Sequence, residues 1–405
     1  MSRFHVYIKP FNDDGTYQTD FIEVTKDVAS LSNLKETIDA DEYNTGIFKY
    51  GSFKIALNDI NGRFSDVGGP TTIFRFRRSG SQIKITWSFG NDITECGIAI
   101  CGDAYTNKEE TIFEGLLNDE TMITNIGDQK ANFSVLTLDS ILDSVETDFA
   151  SISNGESVDT ILFTILNQTE ITTLLTVSAG NINSALNSNV DDVSGFENQT
   201  VRETIQELLG LSNSVLYISD RTIYVSDRTP TAAVQKTFYG QASDIGIENI
   251  TNITGIRSGL NKVFNLITWE DTALSARDTS SISAYGVRKK QVKFDSITNG
   301  TTQQNILNNI RTEFGTIKQQ LTLTSPMDYT TILLSILDRV AIDYPTTFKA
   351  VDGEALPILG QVVLGEFSLP FGEWSFTIDT TTNYKILERN LSIKNQQMIF
   401  KLKEI

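Results

Sequence analysis

Alternation of apolar and polar residues with a period of two dominates the first 145 residues. It is uninterrupted over 81–89, and it recurs at 53–57, 74–77 and 133–137. Because successive side chains of a strand point to opposite faces, this pattern predicts strands that are buried on one face. Asn61-Gly62 supplies the positive φ of a tight turn and predicts a hairpin after the strand at 53–57. Many short strands separated by turns are typical of a barrel or a sandwich.

Helical patterns replace the strand pattern between about 146 and 237. Ser157 precedes an apolar run up to residue 166 and predicts a capped helix. Thr200 and Glu203 form a capping box, in which the threonine oxygen and the glutamate each accept a backbone N–H. Gly210 follows the apolar residues of this second helix, in the place of a left-handed C-terminal residue.

The rest of this middle segment is predicted as a hairpin and a loop. Residues 215–225 consist of two short apolar stretches around a polar centre, which favours two paired strands. The Ser- and Asn-rich stretch at 178–194 is predicted as a loop. The segment therefore has an α+β pattern.

Strand patterns return from residue 238 onward, with one helix among them. The helix is predicted over 301–319, where Thr301 and Gln304 form a second capping box. The predicted strands cover 263–268, 321–324, 339–343, 374–378, 384–387 and 398–402. We therefore predict a mainly β chain with an α+β insertion, divided into a first β domain at 1–145, an α+β domain at 146–237 and a second β domain at 238–405.

The charge balance bears on possible partners. The 405 residues contain 51 acidic and 33 basic side chains, which gives a net charge of −18. Phosphate repels such a chain, so general binding to nucleic acid or to anionic membranes is disfavoured. The amino terminus lacks the apolar core of a signal peptide, and no run of about 18 apolar residues occurs, so we expect neither secretion nor a membrane span.

Few residues could support enzymatic or metal chemistry. His5 is the only histidine, which excludes zinc sites built from several histidines and argues against a nucleophilic triad. Cys96 and Cys101 are predicted as reduced thiols on a strand, because residues five apart on a strand point to opposite faces. Residues 39–46 resemble a calcium loop but place Tyr43 at a ligand position. No phosphate-binding glycine motif is present. We therefore predict no catalytic residue, no cofactor and no metal.

The carboxy-terminal third contains an ordered series of short motifs. Its pieces are Asn261 and Val263, then Asp278, Ile282, Tyr285, Gly286 and Arg288, then the helix, then Pro326, and finally Asp338, Arg339 and Val340. This series resembles the tail-hub or baseplate-hub proteins of tailed bacteriophages and of related contractile injection systems, including the base of VgrG-type spikes. One departure is Leu337, where glycine is common, and it is expected to alter the turn at that position.

The resemblance implies a homotrimer in which two β-barrel domains per chain form a pseudo-sixfold ring. Such a ring matches a hexameric tail tube above to a threefold tip below. It implies a virion protein of the tail tip or baseplate that is assembled in the host cytoplasm. The implied partners are other copies of the chain, a distal-tail or tail-tube ring protein, the carboxy terminus of the tape-measure protein and a central fibre or spike. DNA would pass only in transit, along an acidic channel wall that does not hold it.

Two alternatives stay open. One is a distal-tail ring or a receptor-binding tail protein that recognises carbohydrate through exposed aromatic residues. The other is a cell-wall glycosidase, which needs only a pair of carboxylates; Glu373-Trp374 is the one local hint of sugar stacking.

Overall fold

A computed structural model provides the structure of the chain. It describes residues 4–38, 48–50, 53–64, 67–89, 108–125, 129–229, 232–240, 249–257, 262–343, 348–349, 375–376 and 383–405. Several residues selected from the sequence lie outside these ranges, namely Asn261, Cys96, Cys101, Tyr43, Glu373 and Trp374. The described part of the chain is mainly β with several helices, as predicted.

Strands run along most of the described chain. In chain order they are β1 Phe4–Lys9, β2 Ile22–Glu23, β3 Val28–Leu31, β4 Leu34–Ile38, β5 Phe48–Tyr50, β6 Phe53–Asn58, β7 Gln82–Phe89, β8 Lys108–Asn125, β9 Lys130–Thr137, β10 Ser214–Ser219, β11 Thr222–Asp227, β12 Lys236–Tyr239, β13 Asn252–Arg257, β14 Leu266–Trp269, β15 Ser275–Arg277, β16 Lys289–Val292, β17 Gln320–Pro326, β18 Arg339–Asp343, β19 Phe348–Lys349, β20 Ser375–Phe376, β21 Asn383–Ser392 and β22 Gln397–Glu404. The helices are α1 Ile141–Ser144, α2 Val158–Leu166, α3 Thr169–Thr172, α4 Val201–Ser212, α5 Thr279–Tyr285, α6 Gly300–Phe314 and α7 Tyr329–Ile332.

The first sheet has seven antiparallel strands in the order β2-β1-β7-β8-β9-β6-β3. The interior strand β7 directs Ile83, Ile85 and Trp87 into the core, and β1 does the same with Val6 and Ile8. The strands predicted at 53–57, 81–89 and 133–137 are confirmed as β6, β7 and β9. The period-two alternation predicts these strands correctly because one face of the sheet is buried and the other meets solvent or polar side chains.

The second sheet combines both ends of the chain. Its path is β12-β18-β21-β22-β17-β13, and β4 pairs with β21 while β5 pairs with β4. Leu34 lies opposite Leu391, and Glu36 lies opposite Arg389. The apolar faces of the two sheets form one continuous core, in which Ile55 and Phe133 from the first sheet join Val340 and Phe400 from the second.

A second core contains most of the helices. Apolar residues of α2, α4 and α6 pack together with the β10–β11 hairpin and with the three-stranded sheet β15-β14-β16. The helix predicted over 301–319 is observed as α6, which ends at Phe314, so Ile317 lies beyond it. Ile306, Ile310 and Phe314 belong to this core. The domain boundaries near 145 and 237 stay a prediction.

The helix caps follow the sequence in one case and depart from it in another. The capping box at Thr200 is confirmed: Thr200 N donates to Glu203 Oε2 at 2.8 Å, and Glu203 N donates to Thr200 Oγ1. The predicted end at Gly210 is wrong, because α4 continues to Ser212 and Asn213 takes the left-handed conformation at φ 52°.

The second predicted capping box is also wrong. Asn299 caps α6, since its Oδ1 accepts the backbone N–H of Thr301 at 2.9 Å and of Thr302 at 3.2 Å. Gln304 donates instead to the carbonyl of Ser275. The cap therefore lies two residues before the predicted one.

Two predicted strand features are replaced by irregular structure. Residues 74–77 form a loop in which Phe74 is buried and Phe76 is exposed, although their spacing is that of a strand. Asn61 and Gly62 have the predicted positive φ, at 63° and 71°. They form a short 3-10 turn rather than a hairpin, because β6 pairs with β3 and β9 and not with the strand that follows it.

Candidate functional site

The motif residues between 278 and 288 surround a buried amide that the sequence analysis missed. Asn265 is completely buried and immediately precedes β14. Its Nδ2 donates to the Gly286 carbonyl at 2.8 Å and to Ser281 Oγ at 3.2 Å, and its Oδ1 accepts the backbone N–H of Arg288 at 2.7 Å. The available signal was an asparagine inside an otherwise apolar strand, which must find hydrogen-bond partners when buried.

The same motif residues build a short capped helix. Asp278 Oδ1 accepts the backbone N–H of Ser281 at 2.9 Å and so caps α5, which contains Ile282 and Tyr285. Gly286 follows the helix with φ 74°, a conformation that favours glycine. The chain then reaches β16 through Arg288. Within the described residues, these groups act as a folded turn beside β14, and Val263 is buried just before that strand.

The remaining motif residues lie in the second sheet. Pro326 ends β17, and its carbonyl accepts Thr331 Oγ1 at 3.2 Å. Asp338 Oδ2 accepts the backbone N–H of Ser335 at 2.7 Å, and Arg339 and Val340 then begin β18. Leu337 has φ 70°, so it takes the left-handed conformation for which glycine is favoured. The motif residues thus divide between the two cores rather than forming one site.

A buried group of charges lies where the two cores meet. Glu313 of α6 is 3.4 Å from Lys385 Nζ on β21 and 3.1 Å from Lys318 Nζ. Lys385 Nζ also donates to the carbonyl of Arg228 at 2.6 Å, and Thr229 Oγ1 donates to Glu313. We call Glu313, Lys385, Lys318 and Lys403 the buried charge cluster.

The cluster shifts the pKa values of its members in opposite senses. Burial alone would raise the pKa of Glu313, but the positive charges of Lys385, Lys318 and Lys403 outweigh it and lower that pKa to about 2. Burial lowers the pKa of Lys385 to about 8, against the attraction of Glu313. A lysine with a lowered pKa can act as a nucleophile, but Lys385 is fully buried and a substrate has no access to it. The cluster therefore connects the two cores.

His5 has two hydrogen-bond partners on the outer face of the first sheet. Its Nδ1 lies 3.1 Å from Glu23 Oε1, and its Nε2 lies 3.1 Å from Ser88 Oγ. The order of a serine, a histidine and a carboxylate is that of a nucleophilic triad. The side chain of Glu23 is 52% exposed, and the three residues form a row across neighbouring strands. The hydrogen bonds from His5 and Thr25 lower the pKa of Glu23.

A cleft of about 420 Å³ opens between the first sheet, the β10–β11 turn and the segment after α7. We call it the acidic cleft, because six carboxylates and two guanidinium groups line it. The carboxylates belong to Glu36, Glu109, Glu110, Glu114, Asp139 and Asp220, and the guanidinium groups belong to Arg221 and Arg389.

Ion pairs hold part of this lining in place. Arg389 Nη2 donates to Glu36 Oε1 at 2.6 Å, and Arg221 pairs with Glu114. Burial raises the pKa of Glu36, and the charge of Arg389 opposes that rise. Glu109 and Asp220 are exposed at the surface of the cleft.

One wall of the acidic cleft is a strand edge. Residues 109–114 of β8 line it in an unbroken run. One edge of this run pairs with β7. The opposite edge lines the cleft, because β9 pairs with β8 only from Gly115 onward. In the part of the chain that the structure describes, no strand pairs with this edge. Proteins usually cover such edges or protect them, because open backbone groups invite another chain.

The described residues contain no group of three or more histidine, cysteine, aspartate or glutamate side chains arranged to hold a metal ion. None of the helices within the described ranges is both long enough and apolar enough to cross a membrane.

No protein-family model matches the sequence, and no curated protein matches it either. Solved structures do share its fold. A tail protein from Neisseria meningitidis MC58 has 12% identity and a TM-score of 0.55, with 99% of this chain and 96% of that chain covered. The 43 kDa tail protein of prophage MuSo2 from Shewanella oneidensis has 10% identity and a TM-score of 0.53, with 100% and 97% covered. Prophage tail protein gp18 from Listeria monocytogenes EGD-e has 10% identity and a TM-score of 0.53, with 98% and 94% covered.

The structural similarity extends over nearly the whole length of this chain and of each of the three tail proteins. At 10–12% identity it shows the fold and not a shared activity. The predicted resemblance to phage tail proteins is therefore confirmed for the fold, while the relation to VgrG-type spikes stays a prediction. The chain has the fold of these phage tail proteins.

Proposed function

We propose that this chain is a structural protein of a phage tail tip, where it forms the hub that links the tail tube to the tip. The observation that carries the proposal is a fold shared with three tail proteins over 98–100% of the chain. The motif order between Val263 and Val340 supports the hub among the possible tail positions. The hub role requires packing and assembly, so no residue is assigned to catalysis.

The assembly we propose is a homotrimer with a pseudo-sixfold ring. Each chain has two large sheets, one of seven strands and one of eight, which share a core. Three chains would supply six such sheets, and these sheets would form the barrels of the ring. A ring of this kind presents similar contacts six times to a sixfold tube and still has threefold symmetry below.

The remaining parts of the proposal concern the channel and its neighbours. A chain with a net charge of −18 repels phosphate, so DNA can pass along its inner wall without being retained. We propose that a tail-tube or distal-tail ring, the tape-measure carboxy terminus and a central fibre or spike contact this ring. DNA is a passenger, and the chain itself binds no membrane.

The decisive measurement is the mass and symmetry of the purified protein. Native mass spectrometry should give three times the chain mass of 45.0 kDa, and electron microscopy should show a threefold particle with a central channel. A sixfold ring of separate subunits would instead favour a distal-tail protein. A monomer that binds surface carbohydrate would favour the receptor-binding alternative.

A second candidate function is the hydrolysis of an acyl substrate by a serine nucleophile. One observation favours it, the row of Ser88, His5 and Glu23. In that reaction Ser88 Oγ would attack an acyl group while His5 Nε2 takes its proton and Glu23 holds the imidazole. His5 would return the proton to the leaving group as its bond to the acyl carbon breaks, and water would then hydrolyse the acyl-serine. A fluorophosphonate probe tests it directly. Labelling that is lost in Ser88→Ala and kept in Ser144→Ala, an exposed control, would establish a reactive serine. The hub proposal expects no labelling of either form.

A further inference from the structure

Charge is distributed unevenly along this acidic chain. Residues 131–220 contain thirteen acidic side chains and only one basic one, whereas residues 276–294 contain five basic side chains and only one acidic one. Most of the net charge of −18 therefore belongs to the segment of α1 to α4, and the three-stranded sheet β15-β14-β16 is locally positive. At physiological salt a partner responds to charges within about 8 Å, so the local sign decides what each surface attracts.

The three-stranded sheet has one buried face and one face toward solvent. Ile267, Ala276 and Val292 pack in the second core. The residues that alternate with them point the other way, because successive side chains of a strand lie on opposite faces. We call that outer face the basic face; it consists of Leu266 and Thr268, which are half-buried, and of Ser275, Arg277, Lys289 and Gln291, which are exposed.

The two cations of the basic face flank one apolar residue. Arg277 and Lys289 both lie opposite Leu266, one on each side of it. Neighbouring strands are about 4.8 Å apart, so the Cα atoms of the two cations are about 10 Å apart. Neither cation forms an ion pair with another described residue, whereas Lys293 at the other end of β16 pairs with Asp295 at 3.0 Å. The charge of the basic face is therefore available to another molecule.

Two carboxylates beside the start of α4 are also available. Glu146 and Glu197 are exposed, and in the part of the chain that the structure describes neither side chain has a hydrogen bond or an ion pair. Glu146 pairs with Thr200 in an isolated β-bridge, and Glu197 lies three residues before Thr200. We call Glu146 and Glu197 the acidic corner. The neighbouring Asp143 does not belong to it, because it pairs with Arg202.

Helix α6 separates the basic face from the acidic corner of the same chain. The Arg311 guanidinium donates to the Arg277 carbonyl at 3.3 Å, which places the basic face beside the carboxyl end of α6. Asn299 caps the amino end of the helix. At 1.5 Å per residue, the helix between Asn299 and Arg311 is about 18 Å long.

The acidic corner lies beyond the amino end of α6. Helix α4 runs beside α6 in the same direction, since Ser296 donates to Glu207 and Asn213 donates to Asn309. The amino end of α4, where the acidic corner is, therefore points away from the basic face. The two surfaces are more than about two Debye lengths apart and cannot neutralise each other within one chain. A charged partner for either surface must come from another molecule.

We propose that the basic face of one copy docks against the acidic corner of a second copy. Charge complementarity selects the second copy, because the same chain carries two unpaired cations at one end of its second core and two unpaired carboxylates at the other. The contact is head-to-tail, and its repetition closes a ring when the rotation between copies allows it. This inference rests on the proposed function, since it identifies surfaces through which the hub subunits associate.

Charge reversal tests the contact from both sides. Arg277→Glu with Lys289→Glu reverses the basic face, and Glu146→Lys with Glu197→Lys reverses the acidic corner. Each pair alone sets like charges against one another and should weaken self-association roughly tenfold or more in sedimentation velocity. The chain with all four substitutions again brings opposite charges together, so its association should return to within about threefold of the wild type.

Matched controls change the same charge elsewhere. Lys130→Glu with Lys394→Glu reverses two exposed lysines of the large sheets, and Asp13→Lys with Asp20→Lys reverses two exposed carboxylates near the amino terminus. Both controls should associate as the wild type does. Circular dichroism of every variant establishes that it is folded.

Each other outcome contradicts the inference. If the wild type assembles and either reversed pair assembles equally well, the contact is wrong while the hub proposal stands. If both reversed pairs weaken association but the chain with all four substitutions does not recover, the two surfaces do not meet. If the controls weaken association as much as the reversed pairs, the effect is one of overall charge and the contact is again wrong. If the wild type stays monomeric, the trimeric hub fails and this contact fails with it.

Discussion

At the scale of single residues, Leu337 shows a side chain and a backbone with opposite requirements. Its φ of 70° favours glycine, while its side chain is buried in the core shared by the two sheets. Its N–H donates to the Ile386 carbonyl at 2.9 Å, which ties the turn to the neighbouring strand. A left-handed conformation costs a non-glycine residue about 1–2 kcal/mol. The burial of the leucine side chain offsets that cost.

Glycine and alanine substitutions separate these two contributions. Both remove the buried side chain, but only glycine relieves the backbone, so Leu337→Gly should be about 1 kcal/mol more stable than Leu337→Ala. At Leu334, which is buried and has no positive φ, the order should reverse, because glycine there costs about 0.5–1 kcal/mol more than alanine. Urea denaturation measures all four. The same order at both positions would show that the left-handed turn is incorrect.

Asn265 shows the limit of sequence reasoning at this scale. The motif residues that follow it, from Asp278 to Arg288, could be selected from their order alone. Asn265 could not, because its partners Gly286 and Arg288 lie more than 20 positions away. An asparagine in an apolar run indicates that some partner exists but not which one.

At the scale of elements, local patterns predicted strands and helices well but not all of their ends. The box at Thr200 was correct because both partners lie within three residues. The start of α6 was placed too late, because Asn299 and Thr301 are both good cap residues. Asp191 decides between them: its Oδ2 accepts the backbone N–H of Thr298 and of Asn299, each at 2.7 Å. That contact spans more than 100 residues, and no local pattern reports it.

Alanine substitutions distinguish the two possible caps of α6. Asn299→Ala should lower the free energy of unfolding by about 1 kcal/mol, since two backbone N–H groups lose their acceptor. Thr301→Ala should change it by less than about 0.5 kcal/mol, because Thr301 is exposed and donates only its N–H. Thr200→Ala, at a confirmed capping box, is the positive control and should also cost about 1 kcal/mol. A larger effect at Thr301 than at Asn299 would restore the cap predicted from the sequence.

At the scale of the whole molecule, the buried charge cluster connects the two cores, and its members should differ in importance. Glu313→Gln leaves Lys385 and Lys318 buried without their carboxylate, and we expect a loss of about 3–5 kcal/mol. Lys385→Met should cost less, because Glu313 keeps Lys318 at 3.1 Å. Chemical denaturation at neutral pH gives both values. An equal or larger loss for Lys385→Met would contradict the assigned order.

The same cluster predicts how stability depends on pH. The folded pKa of Glu313 is about 2, below its ordinary 4.5, so its contribution is present above about pH 4.5 and is lost as the pH falls toward 2. The stability difference between wild type and Glu313→Gln should therefore shrink near ~pH 3. Lys385 acts in another window: with a folded pKa of about 8 against 10.5, stability should rise with pH between these values. Urea titrations across the acid range test the first statement, and a constant difference would refute it.

The shared core predicts that the two sheets unfold together. Trp87 lies in the first sheet, and Phe400 lies in the second. In a protein that keeps Trp87 as its only tryptophan, Phe400→Ala should move the Trp87 fluorescence transition to lower denaturant concentration. The corresponding loss in the free energy of unfolding should be about 3 kcal/mol or more. Leu208→Ala, in the second core, is the matched control. A Trp87 transition that is unchanged by Phe400→Ala would mean that the sheets unfold separately.

The sequence predicted a mainly β chain, and the described strands agree with that; its division into strand-rich segments that flank a mixed one stays a prediction. It did not predict that β4, which pairs with β5 along one edge, would pair with β21 along the other. Nothing in residues 34–38 specifies a partner so far along the chain, since any edge strand of suitable register offers the same backbone groups. Pairings of this range depend on the whole fold, which is why they escape local patterns.

The pairing of β4 with β21 has a consequence for synthesis on the ribosome. About 340 residues separate Ile38 from Asn383, and elongation at roughly 5–20 residues per second makes β4 wait roughly 20–70 s for its partner. During that interval the edge of β4 that later pairs with β21 is open to other nascent chains from the same message. Slow or paused translation between these strands would lengthen the exposure and lower the yield of soluble protein, whatever the stability of the finished fold.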